Sequence, residues 1–294
     1  MAGNLKEVRN RIKSVANTQQ ITKAMKMVSA AKLRRATERI VQMRPYSNKL
    51  NEILSNIVAG GASDINSELV KEREAKKIII VVVTSDRGLC GGFNSNIIKL
   101  AKKTIAENYA EQNKLGNVQI MAIGKKANDA FKRSGNINAD FTTMFSNLTF
   151  ENSANVSQYL MNAYMNKEVD VIEIIYGQFK NAATQFFTRE AFLPVAKPTG
   201  NASSKKTIDV IYEPGKEEIV EYLIPKILKT QFFKVLLDSN ASEHGARMTA
   251  MDKASDNANE IMKELKISYN RARQAAITTE LTEIVSGAAA LSEG

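Results

Sequence analysis

Apolar residues recur every three or four positions along the first segment of the chain, which is the spacing of one face of a helix. The pattern predicts one long helix over residues 1–60 that carries a narrow coiled-coil seam. Pro45 lacks a backbone N–H group, so we expect a kink near it and no end to the helix. The seam positions are Leu5, Val8, Ile12, Val15, Leu33, Ala36, Ile40, Met43, Ser47, Leu50, Leu54 and Ile57.

Three apolar residues between the two runs, Ile21, Met25 and Val28, are out of phase with both. Because a coiled coil follows its apolar stripe, this offset predicts a local shift of the supercoil. A helix with one narrow stripe also needs a partner to bury it, and the other end of the chain is the obvious one.

The last segment, residues 214–294, has the same spacing over ten positions, and Pro225 is its only helix breaker before Leu291. Its Ala and Ser residues would let two backbones approach closely, and Met fills irregular gaps. We expect it to form a long antiparallel pair with the N-terminal helix. The seam is Met248, Met251, Ser255, Ala258, Met262, Leu265, Tyr269, Ala272, Ala276 and Thr279, and a second stripe on another face is Ile277, Leu281, Ile284, Ala288 and Leu291.

The middle of the chain, residues 75–212, has short apolar runs between helical stretches, which is typical of an α/β domain. The predicted fold is therefore a two-helix coiled coil from the chain ends with a Rossmann-like α/β domain inserted between them. Predicted helices span residues 94–110, 125–133 and 154–166. Predicted strands span Ile78–Thr84, Val118–Ile123, Val169–Tyr176, Thr184–Pro194 and Ile208–Tyr212.

The net charge of +10 is concentrated at one end, because residues 1–57 hold 12 Lys and Arg against three Glu. This segment should meet an acidic partner. A basic coiled coil that binds nucleic acid, or acts as a scaffold, is the alternative. The aromatic residues expected for base stacking are nearly absent there, since Tyr46 is the only one.

Few residues of the chain could carry chemistry. The single Cys90 excludes an internal disulfide, and one His244 offers no metal cluster, so no cofactor or metal is expected. Both residues are expected to be exposed or packed against a helix. The segment 84–94 lies between a strand and a helix, where a phosphate loop would be, but its glycines fit neither dinucleotide nor P-loop spacing. A tight structural turn is favoured there over a cofactor-binding enzyme site, and no constellation for catalysis is found.

Membrane insertion is not expected, because the longest aliphatic run is Ile78–Val83 and the start is charged. Contact with a membrane would come through partners. Near the other end, residues 284–291 carry no charge. This apolar tip either enters a close-fitting apolar collar or folds against its own chain, and Arg271, Arg273 and Gln274 just before it could bind carboxylates of a partner.

Four stretches together resemble one family: residues 17–28 (NTQQITKAMKMV), 85–94 (SDRGLCGGFN), 241–248 (ASEHGARM) and 277–290 (ITTELTEIVSGAAA). They are similar to ATP synthase gamma subunits and occur in the family order. The resemblance implies a rotating shaft inside a ring of alpha and beta subunits. Its foot would contact the epsilon subunit and the membrane ring of c subunits.

The resemblance also implies which residues touch partners. Met25 and its basic neighbours would lie near an acidic loop of beta, Arg273 and Gln274 would form an upper contact, and the tip would turn in an apolar collar. The implied contact residues are Lys23, Met25, Lys26, Arg273, Gln274, Thr278, Glu280, Glu283, Gly287 and Leu291. Catalysis would remain on beta, and the shaft would be a peripheral protein on the cytoplasmic side of a bacterial cell membrane.

Overall fold

The computed structural model describes residues 2–59, 68–134, 137–195 and 216–292. The chain divides into two compact units. The two-helix unit comprises Met1–Val28 with Met248–Gly294, and the sheet unit comprises Ser29–Arg247. The domain limits proposed at residues 60, 75, 212 and 214 stay a prediction.

Two long helices begin and end the described chain, as the seam patterns predict. Helix α1 spans Ala2–Ala59 and continues through Pro45. Helix α6 spans Lys216–Ser292 and continues through Pro225. Proline fits inside each because a long helix can lose one backbone hydrogen bond and keep its neighbours.

Within the two-helix unit, α1 and α6 are antiparallel. Arg9 contacts Tyr269, Thr22 contacts Ser255 and Lys26 contacts Asp252, so residue numbers rise on one helix as they fall on the other. The ten predicted seam positions of α6 are all buried or half-buried.

The predicted local shift of the supercoil is wrong. Ile21 and Val28 are 60% and 57% exposed, whereas the polar Thr22 and Ser29 are buried. Met25 is half-buried beside the seam. One continuous series of buried and half-buried positions along α1 keeps the three-and-four spacing, because polar side chains continue the seam between the two apolar runs. These positions are Leu5, Val8, Ile12, Val15, Gln19, Thr22 and Lys26 in the two-helix unit, and Ser29, Leu33, Ala36, Ile40, Met43, Ser47 and Leu50 in the sheet unit.

The sheet unit is built on five strands in the order β3-β2-β1-β4-β5. The first four are parallel, and β5 is antiparallel to β4. The strands are β1 (Ile78–Val83), β2 (Val118–Ile123), β3 (Ile137–Phe141), β4 (Val171–Phe179) and β5 (Gln185–Leu193). The predicted α/β fold is confirmed, β3 was missed, and the predicted strand Ile208–Tyr212 lies outside the described residues.

Four shorter helices connect these strands: α2 (Phe93–Asn108), α3 (Ala110–Lys114), α4 (Lys125–Phe131) and α5 (Phe150–Met165). Short 3₁₀ turns follow at Lys132–Ser134 and Met144–Ser146. The three predicted helices correspond to α2, α4 and α5, with ends displaced by at most four residues.

The sheet is buried on both faces. Ile79, Val81 and Val83 of β1 pack on one side in a core that includes residues of α5 and α6. Ile78, Ile80 and Val82 pack on the other side in a core with α2 and α4. A parallel sheet needs this double cover, which explains the uninterrupted apolar sequence of β1.

Candidate partner-contact surface

The residues predicted to touch partners on α1 are three neighbours with different surroundings. Lys23 is exposed and Met25 is half-buried. The Lys26 ammonium lies 2.5 Å from a carboxylate oxygen of Asp252, and the two side chains are 42% and 48% exposed. Lys26 is therefore already partly neutralised within its own chain. The sequence did not single out Asp252, although the antiparallel pairing it predicted would have brought the two residues together.

The end of α6 extends past the beginning of its partner helix. In the observed pairs the two residue numbers add up to 277 or 278, as for 22 with 255 and 26 with 252. Because Ala2 is the first described residue of α1, residues of α6 after about 276 have no described residue of α1 beside them. Every side chain described from 280 to 288 is exposed.

This end of α6 holds the other predicted contact residues. Arg273, Gln274 and Thr278 are exposed on the surface of the helix. Glu280 and Glu283 are exposed too, and a Cβ atom placed on Gly287 would meet no described side chain within 4 Å. Leu291 lies in the last turn of α6.

The faces of this helix end differ in chemistry. Ile277, Leu281 and Ile284 recur at spacings of four and three, so they share one face, and they are 50%, 57% and 67% exposed. Glu280 and Glu283 are three residues apart and form an acidic edge next to that apolar face. Large exposed apolar residues in a row mark a surface that a partner covers.

The tight turn predicted after β1 is present and uses its own polar groups. Asn94 Nδ2 donates to Ser85 Oγ (2.8 Å) and to Cys90 Sγ (3.2 Å), and the Ser85 amide donates to Asn94 Oδ1 (3.0 Å). Cys90 is buried inside this network. The turn displays Leu89, which has a φ of 63° and is 66% exposed.

The amide groups that begin α4 beside this turn are also occupied. Lys125 N donates to Asp86 Oδ1 (3.2 Å), Lys126 N to the Ser85 carbonyl (3.2 Å) and Ala127 N to Thr84 Oγ1 (2.7 Å). A phosphate loop works by offering such amides to an anion. Here they bind side chains and a carbonyl of the same chain.

Arg247 of α6 closes the turn from the other side. Its guanidinium donates to the carbonyls of Arg87 (3.1 Å) and Gly88 (3.2 Å) and forms a buried ion pair with Glu243 one helical turn away. Burial raises the pKa of Glu243, and the Arg247 charge opposes that rise. Residues 241–248 and 85–94 are two of the four stretches that resemble the family, and the first therefore holds the second in place.

His244 is buried beside this ion pair. The pKa of His244 is lowered to about 4, mainly because burial disfavours the charged imidazolium, and the positive charges of Arg247 and Lys32 contribute to the same shift. Among the residues that the structure describes, none is a hydrogen-bond partner of its Nδ1. The imidazole is thus held neutral as a packing group, which agrees with the helix-packed role expected of it.

A calorimetric titration tests the interpretation of the turn. The chain titrated with ATP, and separately with NAD, should show no saturable heat, because the Ser85 amide and the three amides that begin α4 are already bonded. The Asp86→Ala variant, which frees one amide, is the matched control. Saturable binding to the unaltered chain at micromolar affinity would contradict the structural role of the turn.

Two negative findings apply to the described ranges 2–59, 68–134, 137–195 and 216–292. None of their helices combines the length and hydropathy needed to cross a bilayer. In the same ranges, no three His, Cys, Asp or Glu residues gather closely enough to hold a metal ion.

Comparison with known proteins shows the class of protein to which the chain belongs. A family model described as ATP synthase matches residues 4–291, so nearly the whole chain has the pattern of one ATP synthase subunit. The ATP synthase gamma chain of Cytophaga hutchinsonii is 55% identical over 291 residues, covering 98% of this chain and 99% of that one. The gamma chain of Flavobacterium psychrophilum is 53% identical over 288 residues, with the same coverage. The chain therefore belongs to the ATP synthase gamma chain family, and its role is that of the rotor subunit of an F-type ATP synthase.

Solved structures confirm the fold. A chain of the Euglena gracilis mitochondrial ATP synthase (OSCP/F1/c-ring) has a TM-score of 0.68 at 20% identity, covering 99% of this chain and 95% of that one. A chain of the Euglena rotor gives 0.64 at 22% identity, with coverage of 94% and 100%. The central stalk and c-ring structure from Tetrahymena thermophila gives 0.55 at 24% identity, with coverage of 80% and 99%.

Proposed function

We propose that this chain is a non-catalytic shaft that couples proton-driven rotation to ATP synthesis or hydrolysis at sites on beta subunits. Its partners would be the alpha and beta subunits of the ring, the epsilon subunit and the membrane ring of c subunits. The gamma chain relatives and the F1 and c-ring complexes that contain similar chains support this assignment.

The observation that carries the proposal is the uncovered end of α6. A shaft changes the affinities of chemically identical sites in turn only if its faces interact with them unequally. The apolar face of Ile277, Leu281 and Ile284 and the acidic edge of Glu280 and Glu283 provide such unequal faces. As this end turns, a given beta subunit would meet an apolar surface and then a charged one.

A second contact region would lie on α1. Lys23 is exposed beside the half-buried Met25, on a helix with a large excess of basic residues. Because exposed charges attract an acidic surface over several ångströms, Lys23 would direct α1 toward carboxylates on beta. The apolar Met25 would then pack at the contact.

The location of the protein follows from its partners in this proposal. The described helices offer no membrane span. The chain would therefore reach the membrane through epsilon and the c ring, as a peripheral protein on the cytoplasmic side of a bacterial cell membrane. The nucleic-acid alternative is not favoured, because the basic segment lacks stacking aromatics and the relatives are ATP synthase subunits.

Single-molecule rotation tests the proposal directly. The chain would be reconstituted with alpha and beta subunits fixed to a surface, and a bead attached to the sheet unit through a Lys99→Cys variant. Lys99 is exposed and the native Cys90 is buried, so labelling should be specific. We expect the bead to turn while ATP is hydrolysed. Hydrolysis with a stationary bead would refute the rotor mechanism for this chain.

The upper contact can be tested by removing its donors. The Arg273→Ala, Gln274→Ala double variant should lower ATP hydrolysis by the reconstituted complex at least tenfold, since one hydrogen bond to a charged group contributes roughly 1.5 to 3 kcal/mol and about 1.4 kcal/mol is a factor of ten. Steady-state hydrolysis at saturating ATP measures the loss. Lys266→Ala, an exposed change on the same helix, is the control and should leave the rate within about twofold. Equal rates for both variants would remove this contact from the proposal.

A further inference from the structure

Within the two-helix unit, Lys26 of α1 differs from the neighbouring cations because it forms an ion pair with a carboxylate of its own chain. In the two-helix unit α1 carries Lys6, Arg9, Arg11, Lys13, Lys23 and Lys26. Among the residues that the structure describes, the Lys26–Asp252 contact is the single ion pair made by any of these six. Arg9 instead donates to the hydroxyl of Tyr269 at 2.8 Å.

This ion pair lies beside the predicted partner contact. Lys23 and Lys26 are three residues apart, so they share one side of the helix. Lys26 keeps 42% of its side chain exposed, and an ammonium group has three donors. A partner carboxylate that binds Lys23 would therefore be within reach of Lys26 as well, and it would compete there with Asp252.

We infer that Asp252 is an internal counter-ion that limits how strongly Lys26 binds the acidic surface of a partner. This inference rests on the proposed function, which supplies the acidic partner. With Asp252 in place, Lys26 has little net charge to offer, and a partner carboxylate near it is repelled by Asp252. The contact with the ring is then strong enough to transmit force and weak enough to be broken at each step of rotation.

If the ion pair had a purely structural role, removing Asp252 would change partner binding in the opposite direction. Thr22 and Ser255 lie one turn away, 2.8 Å apart in the buried seam, so the two helices are joined there without the ion pair. If Asp252 served only to join the helices, its removal would loosen the unit and weaken partner binding. If it is a counter-ion, its removal frees Lys26 and strengthens partner binding.

A competition assay separates the two roles. Unlabelled full-length variants would compete with fluorescent unaltered chain for a limiting amount of reconstituted alpha and beta ring at low salt. Asp252→Asn should enter the ring about two- to fivefold more readily than the unaltered chain, the range expected for one exposed ion pair. The advantage should disappear in about 1 M salt, where charges are screened within about 3 Å.

Three controls make the result specific. Lys26→Ala with Asp252→Asn should lose the advantage, because no cation remains to be freed. Asp256→Asn neutralises an exposed carboxylate one turn along α6 that makes no ion pair among the described residues, and it should change competition less than Asp252→Asn. Circular dichroism should show all variants equally helical.

The outcomes also distinguish a failure of the counter-ion role from a failure of the proposed rotor function. If Asp252→Asn competes no better than the unaltered chain, or if the advantage persists without Lys26, the counter-ion role is overturned while the rotor role stands. If the unaltered chain fails to enter the ring at all, the proposed function itself is wrong.

Discussion

Replacing Arg247 with methionine should lower the free energy of unfolding of the sheet unit by about 3 to 5 kcal/mol, because the change leaves the buried Glu243 carboxylate without its partner. The carbonyls of Arg87 and Gly88 lose their donor as well. The turn at residues 85–94 should then exchange its amide hydrogens faster.

Urea unfolding followed by tyrosine fluorescence measures this loss in the right unit. The chain has no Trp, and of its eight Tyr only Tyr269 lies in the two-helix unit. A second substitution, Glu243→Gln in the Arg247→Met background, should recover part of the stability because it removes the unpaired charge. If the double variant is less stable than the single one, the buried ion pair does not account for the loss.

Acid should affect the sheet unit through two buried groups that act in opposite directions. The pKa of His244 falls from 6.5 to about 4 on folding. Between these values the unfolded chain binds a proton that the folded chain refuses, so stability is lost as the pH falls. The full effect of His244 is about 3 kcal/mol, at 1.36 kcal/mol for each unit of pKa difference.

Asp238 has the opposite effect over nearly the same range. Burial raises its pKa from 3.8 to about 6, against the lowering influence of Lys234 and Arg44, and Glu190 adds to the rise. The folded chain therefore binds a proton before the unfolded chain does, and stability is gained as the pH falls from 6 towards 4. This gain is also about 3 kcal/mol, so the two groups nearly cancel.

Neutral substitutions should expose each effect. His244→Gln should make the sheet unit more stable as the pH falls from 6.5 to 4, and Asp238→Asn should make it less stable over that range. Urea unfolding by tyrosine fluorescence at half-unit steps of pH measures both slopes. The double variant should keep a weaker dependence on pH, a gain in stability as the pH falls that comes from the raised pKa of Glu243. If the free energy of unfolding changed with pH in the same direction for both single variants, the opposite pKa shifts of His244 and Asp238 would be contradicted.

Much of the fold was predictable because local pattern and tertiary structure agree. The run Ile78–Val83 is apolar throughout, and it forms a central strand buried on both faces. Strand β3 was missed although its sequence, INADF, alternates apolar and polar residues, because the run is short and its Asn and Asp are residues that strands disfavour. Pairing with β2 makes it a strand, and such pairing is a tertiary effect that a short sequence window does not contain.

The seam of α1 shows where hydrophobicity alone misleads. Thr22 is buried because its hydroxyl meets Ser255, whereas Ile21 remains exposed. A prediction that treats the chain as an isolated protein assigns an apolar residue to the hydrophobic core, even where that residue lies on the surface of a subunit. The three-and-four spacing was the reliable signal, and following it through Gln19, Thr22 and Lys26 would have given the correct seam.

The candidate contact residues came from family resemblance and stay predictions. Nothing in the spacing of Arg273 or Glu283 distinguishes a contact residue from an ordinary solvated one. Their partners belong to other chains, so the physical chemistry of this chain does not contain them. Its own residues do reveal the unpaired end of α6 and the partly neutralised Lys26, which are properties of the isolated molecule.

Three threonines lie where α6 leaves the side of α1. Thr278, Thr279 and Thr282 each donate a hydroxyl hydrogen to the carbonyl four residues earlier, at 2.8 to 3.0 Å. Such bonds compete with the helix's own hydrogen bonds and make it easier to bend. The helix pair is stiff where α1 and α6 pack together, and α6 bends more easily just beyond. Its free end can therefore lie away from the axis of the pair without separating the two helices.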